Sequence, residues 1–356
     1  MRPFLCLSFA LCCSLFLNPG FSTAKIVVPM IFYCIDVEGG QATLFVSPQG
    51  QSLLIDTGWD GNNGRDADRI AAAAKDAGLK KIDYVLITHY HSDHVGGVTQ
   101  LAARIAIGTF IDHGELRETD NQNTKTGYAA YQKLLATGKY KRISTKPGDV
   151  FSVGDMKFTI ITSDSKLLEK PLPGAGQPNP FCQEAPNQPP ADHSENEFSQ
   201  GLLMEFGKFR LLDLGDIPFV EEVALTCPIN KIGEVDFFIA THHGLFYSNS
   251  PALVHGVSPR VAVMENGAKK GASPAAWNII KSSPGLEALY QLHWSEEGGS
   301  DHNSPAAFLA NLEGPDMGNY FKIAASWGGD FYVTNSRTGK QDEYRKRRNI
   351  AAPDIH

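Results

Sequence analysis

Positive charge is in short supply in this sequence of 356 residues: 32 Lys and Arg face 39 Asp and Glu, for a net charge of −7. That balance excludes a generic electrostatic nucleic-acid binder, which needs a basic surface to displace counterions from phosphates. Cysteine is sparse as well, with six residues. A disulfide-dense scaffold is therefore excluded. Past the N-terminus no apolar run approaches the roughly 18 residues of a membrane span, so no transmembrane segment is expected in the remainder. The charged fraction is only 20%, but 42% of the residues are hydrophobic, which excludes disorder of the whole chain.

What is present begins with a leader pattern. Arg2 is followed by an apolar run from Phe4 to Leu17, the helix breakers Asn18-Pro19-Gly20, and the small residues Ser22-Thr23-Ala24. This is the anatomy of a secretory signal peptide over residues 1–24, so the expected location is secreted or periplasmic. Loss of Arg2 takes the charge from −7 to −8. Cys6, Cys12 and Cys13 go with the leader, which leaves Cys34, Cys182 and Cys227. In an oxidising compartment the expected pair is Cys182–Cys227, since both stand beside prolines in loops. Cys34 lies in an apolar strand pattern and is expected to be a buried thiol.

Strand and helix patterns interleave from residue 25 to residue 340 with no clean linker, which reads as one α/β domain. Expected strands include Gln51–Ile55, Ile82–Thr88, Ile107–Ile111, Leu202–Phe206, Phe209–Leu214, Val235–Ala240 and Val261–Met264. Expected helices cover Arg65–Ala77, Thr126–Thr137, Ser273–Ser282 and, from a second Ser-Pro start, Ser304–Leu312. Residues 165–198 break the pattern with prolines and no periodicity, and are read as an insertion or lid. Residues 341–356 read as a polar tail.

The chemistry concentrates in Thr88-His89-Tyr90-His91-Ser92-Asp93-His94-Val95-Gly96-Gly97, directly after an apolar strand. Imidazole is a strong zinc ligand, and in extended backbone His89 and His91 point the same way, toward one ion. Asp93 and His94 start the following turn and can reach a second ion.

This H-x-H-x-D-H segment resembles the metallo-β-lactamase superfamily. The resemblance implies a four-layer αββα sandwich and a metal-dependent hydrolase that attacks with a metal-bound hydroxide. It implies one or two divalent ions, zinc first, with manganese or iron as alternatives. Asp56-Thr57-Gly58 is similar to the family's early Asp-x-Gly element, so Asp56 would orient a ligand, and Asp93 could instead handle the proton of the water. Leu214-Gly215-Asp216 is similar to the Gly-Asp element, which makes Asp216 a bridging ligand. Thr241-His242-His243-Gly244 is similar to the late His element, with His243 favoured over His242. For the third ligand of the first metal, His193 and Asn196 both stay open. The implied ligand set is thus His89, His91, Asp93, His94, His193, Asp216 and His243.

Further motifs resemble the branch of ComEC-type competence proteins. Ile35-Asp36-Val37-Glu38-Gly39-Gly40 is similar to its Asp-Val-Gly-Gln-Gly-Asp, with Gln41 in place of the acid. Asn196-x-x-Ser199 is similar to its polar element, His242-His243-Gly244 to its His-His-Gly, and Asn266-Gly267 with Ser273-Pro274 to its late loop. The likeness spans roughly residues 31–280. The expected substrate is a small molecule or short phosphodiester, or an ester or lactone, and long nucleic acid is not expected. An iron-containing redox enzyme of the same fold and a non-catalytic envelope binding protein are the competing readings.

Overall fold

The computed structural model describes residues 28–184 and 189–346; the leader pattern at 1–24 lies outside them. Two nine-stranded sheets face each other. In the first the order runs Gln341–Tyr344, Phe331–Asn335, Phe321–Ala325, Met30–Cys34, Thr43–Val46, Ser52–Ile55, Lys81–Leu86, Ala106–Asp112, Lys141–Ser144. In the second, Leu309–Asn311, Ala288–His293, Val261–Met264 and Phe237–Ile239 run parallel into the antiparallel hairpin Phe209–Asp213 and Gly201–Phe206. Met156–Ser163 and Val150–Val153 continue it, with the short Lys166–Leu167 paired to Met156–Ser163.

Alternation along the strands sets the layers. Met30, Phe32 and Cys34 join Phe45, Leu53, Phe158, Met204, Phe237 and Val261 in the core between the sheets. Their neighbours Tyr33, Ile35, Leu44 and Leu54 face the other way, under the helices Arg65–Asp76 and Gln122–Leu135. The same division repeats in the second sheet, where Leu212, Phe238 and Ala262 pack beneath Phe219–Thr226, Pro251–Val257 and Pro274–Lys281. A strand with period two must bury both faces in such an arrangement, and the result is the four-layer αββα sandwich. Cys34 is buried and unpaired, and Cys182 is bonded to Cys227. Among the described residues no helix is long and apolar enough to cross a membrane.

Several expectations need correction. Ser304–Leu312 does not form an α-helix: a short 3-10 turn at Ala306–Phe308 leads into the strand Leu309–Asn311. That strand pairs parallel to Ala288–His293, and the Asn311 amide donates to the carbonyls of Leu292 and Asn319, so sheet pairing overrides the Ser-Pro start signal. Lys141–Ser144 forms an edge strand that no hydrophobic pattern announced. The polar segment Gln341–Tyr344 pairs with Phe331–Asn335, so the sheet runs past residue 340.

The Pro-rich stretch also has more order than its composition suggested. Gln177–Pro178 pairs with Ile229–Asn230, the disulfide follows, and the Asn179 amide donates to the carbonyls of Thr226 and Ala252. This part is strapped to the outer helices. Within residues 192–199, Glu195, Asn196 and Ser199 are buried.

Candidate metal centre

The centre forms where strand ends of both sheets meet. Lys81–Leu86 ends just before Thr88, and His91 is the N-terminal flank of the one-turn helix Ser92–Val95. Gly97 allows the close approach that follows, since a Cβ there would meet the Thr57 carbonyl. From the second sheet, Phe209–Asp213 ends three residues before Asp216, and Phe237–Ile239 ends before the turn Thr241–Gly244. His242 and His243 both hold left-handed backbone, at φ 53° and 55°. Each such non-glycine residue costs on the order of 1–3 kcal/mol, a strain characteristic of functional turns.

Ligand atoms of Asp93, His94, Asp216 and His243 lie within 4.8 Å of one another, and all four residues are buried. His94 Nε2 is 3.2 Å from both Asp93 Oδ2 and Asp216 Oδ2. His243 Nε2 is 3.2 Å from Asp93 Oδ2 and 3.3 Å from Asp216 Oδ2. Yet neither imidazole nitrogen has a hydrogen-bond partner among the described residues. Short distances at unsuitable angles arise when lone pairs aim at a common point rather than at each other. Buried polar atoms are seldom left this way, and the donor set of two histidines and two carboxylates fits a divalent cation.

A second pair adjoins the quartet. His89 Nε2 faces His91 Nδ1 at 3.0 Å, so two imidazole nitrogens converge as they would on one ion. The outer nitrogens of the rings are held. His94 Nδ1 is 2.7 Å from Asp56 Oδ2, His89 Nδ1 is 3.0 Å from Thr88 Oγ1, and His91 Nε2 is 3.2 Å from Glu118 Oε2. Asp56 also accepts from the Thr88 amide at 2.8 Å and the Thr88 hydroxyl at 2.6 Å. Asp56 thus stands behind the His94 ring, an arrangement that fixes ring orientation.

The electrostatics follow from burial and neighbours. Burial alone would raise Asp93, but Lys270 and His94 hold it well below the usual carboxylate range. Burial is likewise outweighed at Asp216, by His243 and His94. His94 is raised well above the ordinary imidazole value, against burial, by Asp216, Asp93 and Asp56. Burial and the neighbouring His94 push His89 well below it. His242, with Nε2 3.4 Å from Asp216 Oδ2, is pushed down to about 4 by burial. Of the two late histidines, only His243 belongs to the quartet.

His193 is the exception among the expected ligands. Its side chain is 82% exposed and its Nδ1 lies 3.3 Å from Glu197 Oε2, so the structure does not bring it to the centre. The reason is local. Ser194 caps the 3-10 turn Glu195–Phe198, and that turn sends Glu195 and Asn196 inward and His193 outward. Asn196 is buried, and its Oδ1 has no partner among the described residues. Ser199, in the same segment, accepts from the Asp216 amide. Sequence reasoning missed Glu118, which sits in a loop 27 residues beyond His91 with no motif around it.

Residues 35–180 match the family model of the Metallo-beta-lactamase superfamily. A UPF0173 metal-dependent hydrolase of Staphylococcus saprophyticus is 34% identical over 137 residues, which cover 37% of this chain and 48% of that protein. Ribonuclease Z of Methanopyrus kandleri is 26% identical over 152 residues, 41% of this chain and 50% of that one. The chain therefore spans about half the length of these curated relatives. The metallo-beta-lactamase fold protein YhfI of Bacillus subtilis superposes with a TM-score of 0.46 at 13% identity, covering 74% of this chain and 95% of that one. The H-x-H-x-D-H segment at 89–94 and Asp56 both lie inside the region that matches the Metallo-beta-lactamase superfamily model.

Proposed function

We propose that the protein is a secreted or periplasmic metal-dependent hydrolase acting on a small phosphodiester or ester. The observation that carries this reading is the quartet Asp93, His94, Asp216 and His243, whose imidazole nitrogens are buried, unpartnered and convergent. His89 and His91 would hold a second ion, and Asn196, whose Oδ1 is buried without a partner among the described residues, is the candidate for completing that site. Divalent ions at these positions, zinc first by donor chemistry, supply Lewis acidity and lower the pKa of water to about 7.

The chain's own residues do the rest. Asp56, Thr88 and Glu118 hold the outer nitrogens of three ligand rings and so fix their faces. Asp216, whose Oδ2 lies beside both His94 and His243, would help to hold the ion at the quartet. His242 is neutral at physiological pH because its value is pushed down to about 4. Its Nδ1 is buried and has no partner among the described residues.

Two relatives favour hydrolysis, one named a metal-dependent hydrolase and one a ribonuclease. The ComEC-type resemblance gains support from packing. Its early motif around Gly39 and its late loop around Gly267, 228 positions apart, press directly against each other. The test is metal content of the mature protein together with a panel of phosphodiester, lactone and β-lactam substrates, with and without chelator. Chelator-sensitive turnover of a phosphodiester or ester supports the reading. Stoichiometric metal with no turnover across the panel overturns it.

A further inference from the structure

Beside Asp93 lies a cavity of about 700 Å³, lined by Glu38, Trp59, Arg65, Lys269, Lys270 and Glu296, among others. Its volume is that of a small-molecule site. At its inner end the Lys270 ammonium touches Asp93 Oδ2, one of the convergent ligand atoms, and lies 5.1 Å from the centre of the Trp59 ring. The Lys270 side chain is 29% exposed, so it faces the cavity as well as the metal centre.

The backbone that carries Lys270 is fixed on two sides. A Cβ at Gly39 would lie 2.9 Å from Lys270 Cβ, so the 36–41 loop can pass there only as glycine. The Gly267 amide donates to the Lys270 carbonyl at 2.9 Å, and the Ala272 amide donates to the His243 carbonyl at 2.9 Å. Lys270 is therefore tied to a loop of the first sheet and to a ligand of the second.

A lysine in this position calls for a reason. A cation against a ligand carboxylate opposes the binding of a divalent ion, and at such short range the repulsion is large in a low-dielectric cleft. It is offset when an anion lies between them. Two other cations line the cavity, Arg65 and the exposed Lys269. Arg65 spends its guanidinium on Asp66, Asp316 and the Val37 carbonyl. The same cavity carries the carboxylates of Glu38 and Glu296, which would repel the further phosphates of a polyanion. One oxyanion fits at the inner end, and a chain of them does not.

On the reading of the centre as a metallo-hydrolase, we propose that this cavity is the substrate site, and that Lys270 recognises a single phosphoryl oxyanion of a small phosphate ester whose organic part lies along Trp59. Lys270 is then a substrate-binding residue that also stabilises charge developing on that oxyanion during displacement. Removal of one such donor lowers kcat by roughly a hundredfold or more.

The experiment uses the metal-loaded mature protein and the variants Lys270→Met and Lys270→Arg. Lys281→Met, on the outer helix Pro274–Lys281, serves as the charge-matched control. Binding of inorganic phosphate is measured by calorimetry. Hydrolysis is followed with bis(4-nitrophenyl) phosphate and with the neutral ester 4-nitrophenyl acetate. The expected result is that Lys270→Met weakens phosphate binding by about tenfold or more and lowers kcat/KM for the phosphodiester by about a hundredfold relative to the acetate. Lys270→Arg restores most of both, and Lys281→Met changes neither. Undiminished phosphate binding in Lys270→Met, or an equal loss on both esters, overturns the proposal. If the wild type binds phosphate through Lys270 but turns over neither ester, the hydrolase reading falls and the anion site stands.

Discussion

On one side of the cleft, Asp93, His94, Asp216 and His243 bring four ligand atoms within 4.8 Å of one another, drawn from three separate stretches of chain. On the other side, His89 and His91 come from one short loop, and only their two nitrogens face each other. The quartet is closed, buried and flanked by strained backbone at His242 and His243. The pair is more open, with the His91 side chain 18% exposed and leaning on Glu118. The difference indicates that the fold commits most of its organisation to the quartet, which holds together parts of both sheets. The pair adds to it.

The largest effect that can break this comparison is removal of Asp216. Asp216→Ala deletes the oxygen that lies near both His94 and His243 and should empty the quartet. Hydrolysis of the phosphodiester should fall by about a thousandfold or more, with the circular dichroism spectrum retained. If elemental analysis found full metal content and activity stayed near wild type, the quartet would not be the centre. His91→Ala should then remove metal only from the pair. Loss of one ion with the other retained sharpens the contrast; loss of both makes the centre a single cooperative unit.

The contrast also shows how much could be read from the sequence. The H-x-H-x-D-H loop, Asp56, the Gly-Asp step at Asp216 and the His-His-Gly turn were all legible, because each is a short local pattern at a strand end. The strand alternation that builds the layers was legible for the same reason. What escaped depends on contacts distant in sequence. Glu118 has no pattern around it and meets His91 only because the loop after Ala106–Asp112 turns back. His193 is the residue of the expected type in this segment, but a Ser194 cap turns Asn196 inward and leaves His193 outside. The strand Leu309–Asn311 escaped because its sheet neighbour, not its own propensity, sets its conformation.

A middle-sized effect probes the residues behind the rings. Asp56 is fully buried and bonds both His94 and Thr88, whereas Glu118 is 10% exposed and bonds His91 and Thr124. Asp56→Asn should lower metal affinity or activity by about 10–100-fold. Glu118→Gln should cost less, about tenfold at most on the same scale, since solvent can replace part of its role. Competition with a chromogenic chelator measures both. A larger loss in Glu118→Gln would reverse the ranking of quartet and pair. Asn196→Ala refines the same point: it should weaken only the ion at the pair, while His193→Ala should leave both ions in place.

The smallest effect concerns Asp213 and Glu265, carboxylates as buried as Asp93 and Asp216 in which the effect of burial is not outweighed. Burial raises Asp213 to about 7, and burial with the nearby Asp213 raises Glu265 from 4.5 to about 8. The contrast with Asp216, held well below the usual range, therefore comes from the surrounding histidines and not from depth. Glu265 accepts a hydrogen bond from the Thr43 hydroxyl at 2.8 Å and lies beside the Cys34 thiol. Its value is raised on folding, so its contribution to stability is full below about pH 4.5 and is lost as pH rises through about 8. Glu265→Gln keeps an oxygen for Thr43 and cannot ionise. The difference in melting temperature, wild type minus Glu265→Gln, should therefore decline steadily between pH 4.5 and 8 and level off above. Taking the difference cancels the pH dependence of metal binding, which both proteins share. A difference that is flat with pH would mean that Glu265 is ionised throughout, and that a cation near it stabilises the carboxylate as His243 and His94 stabilise Asp216.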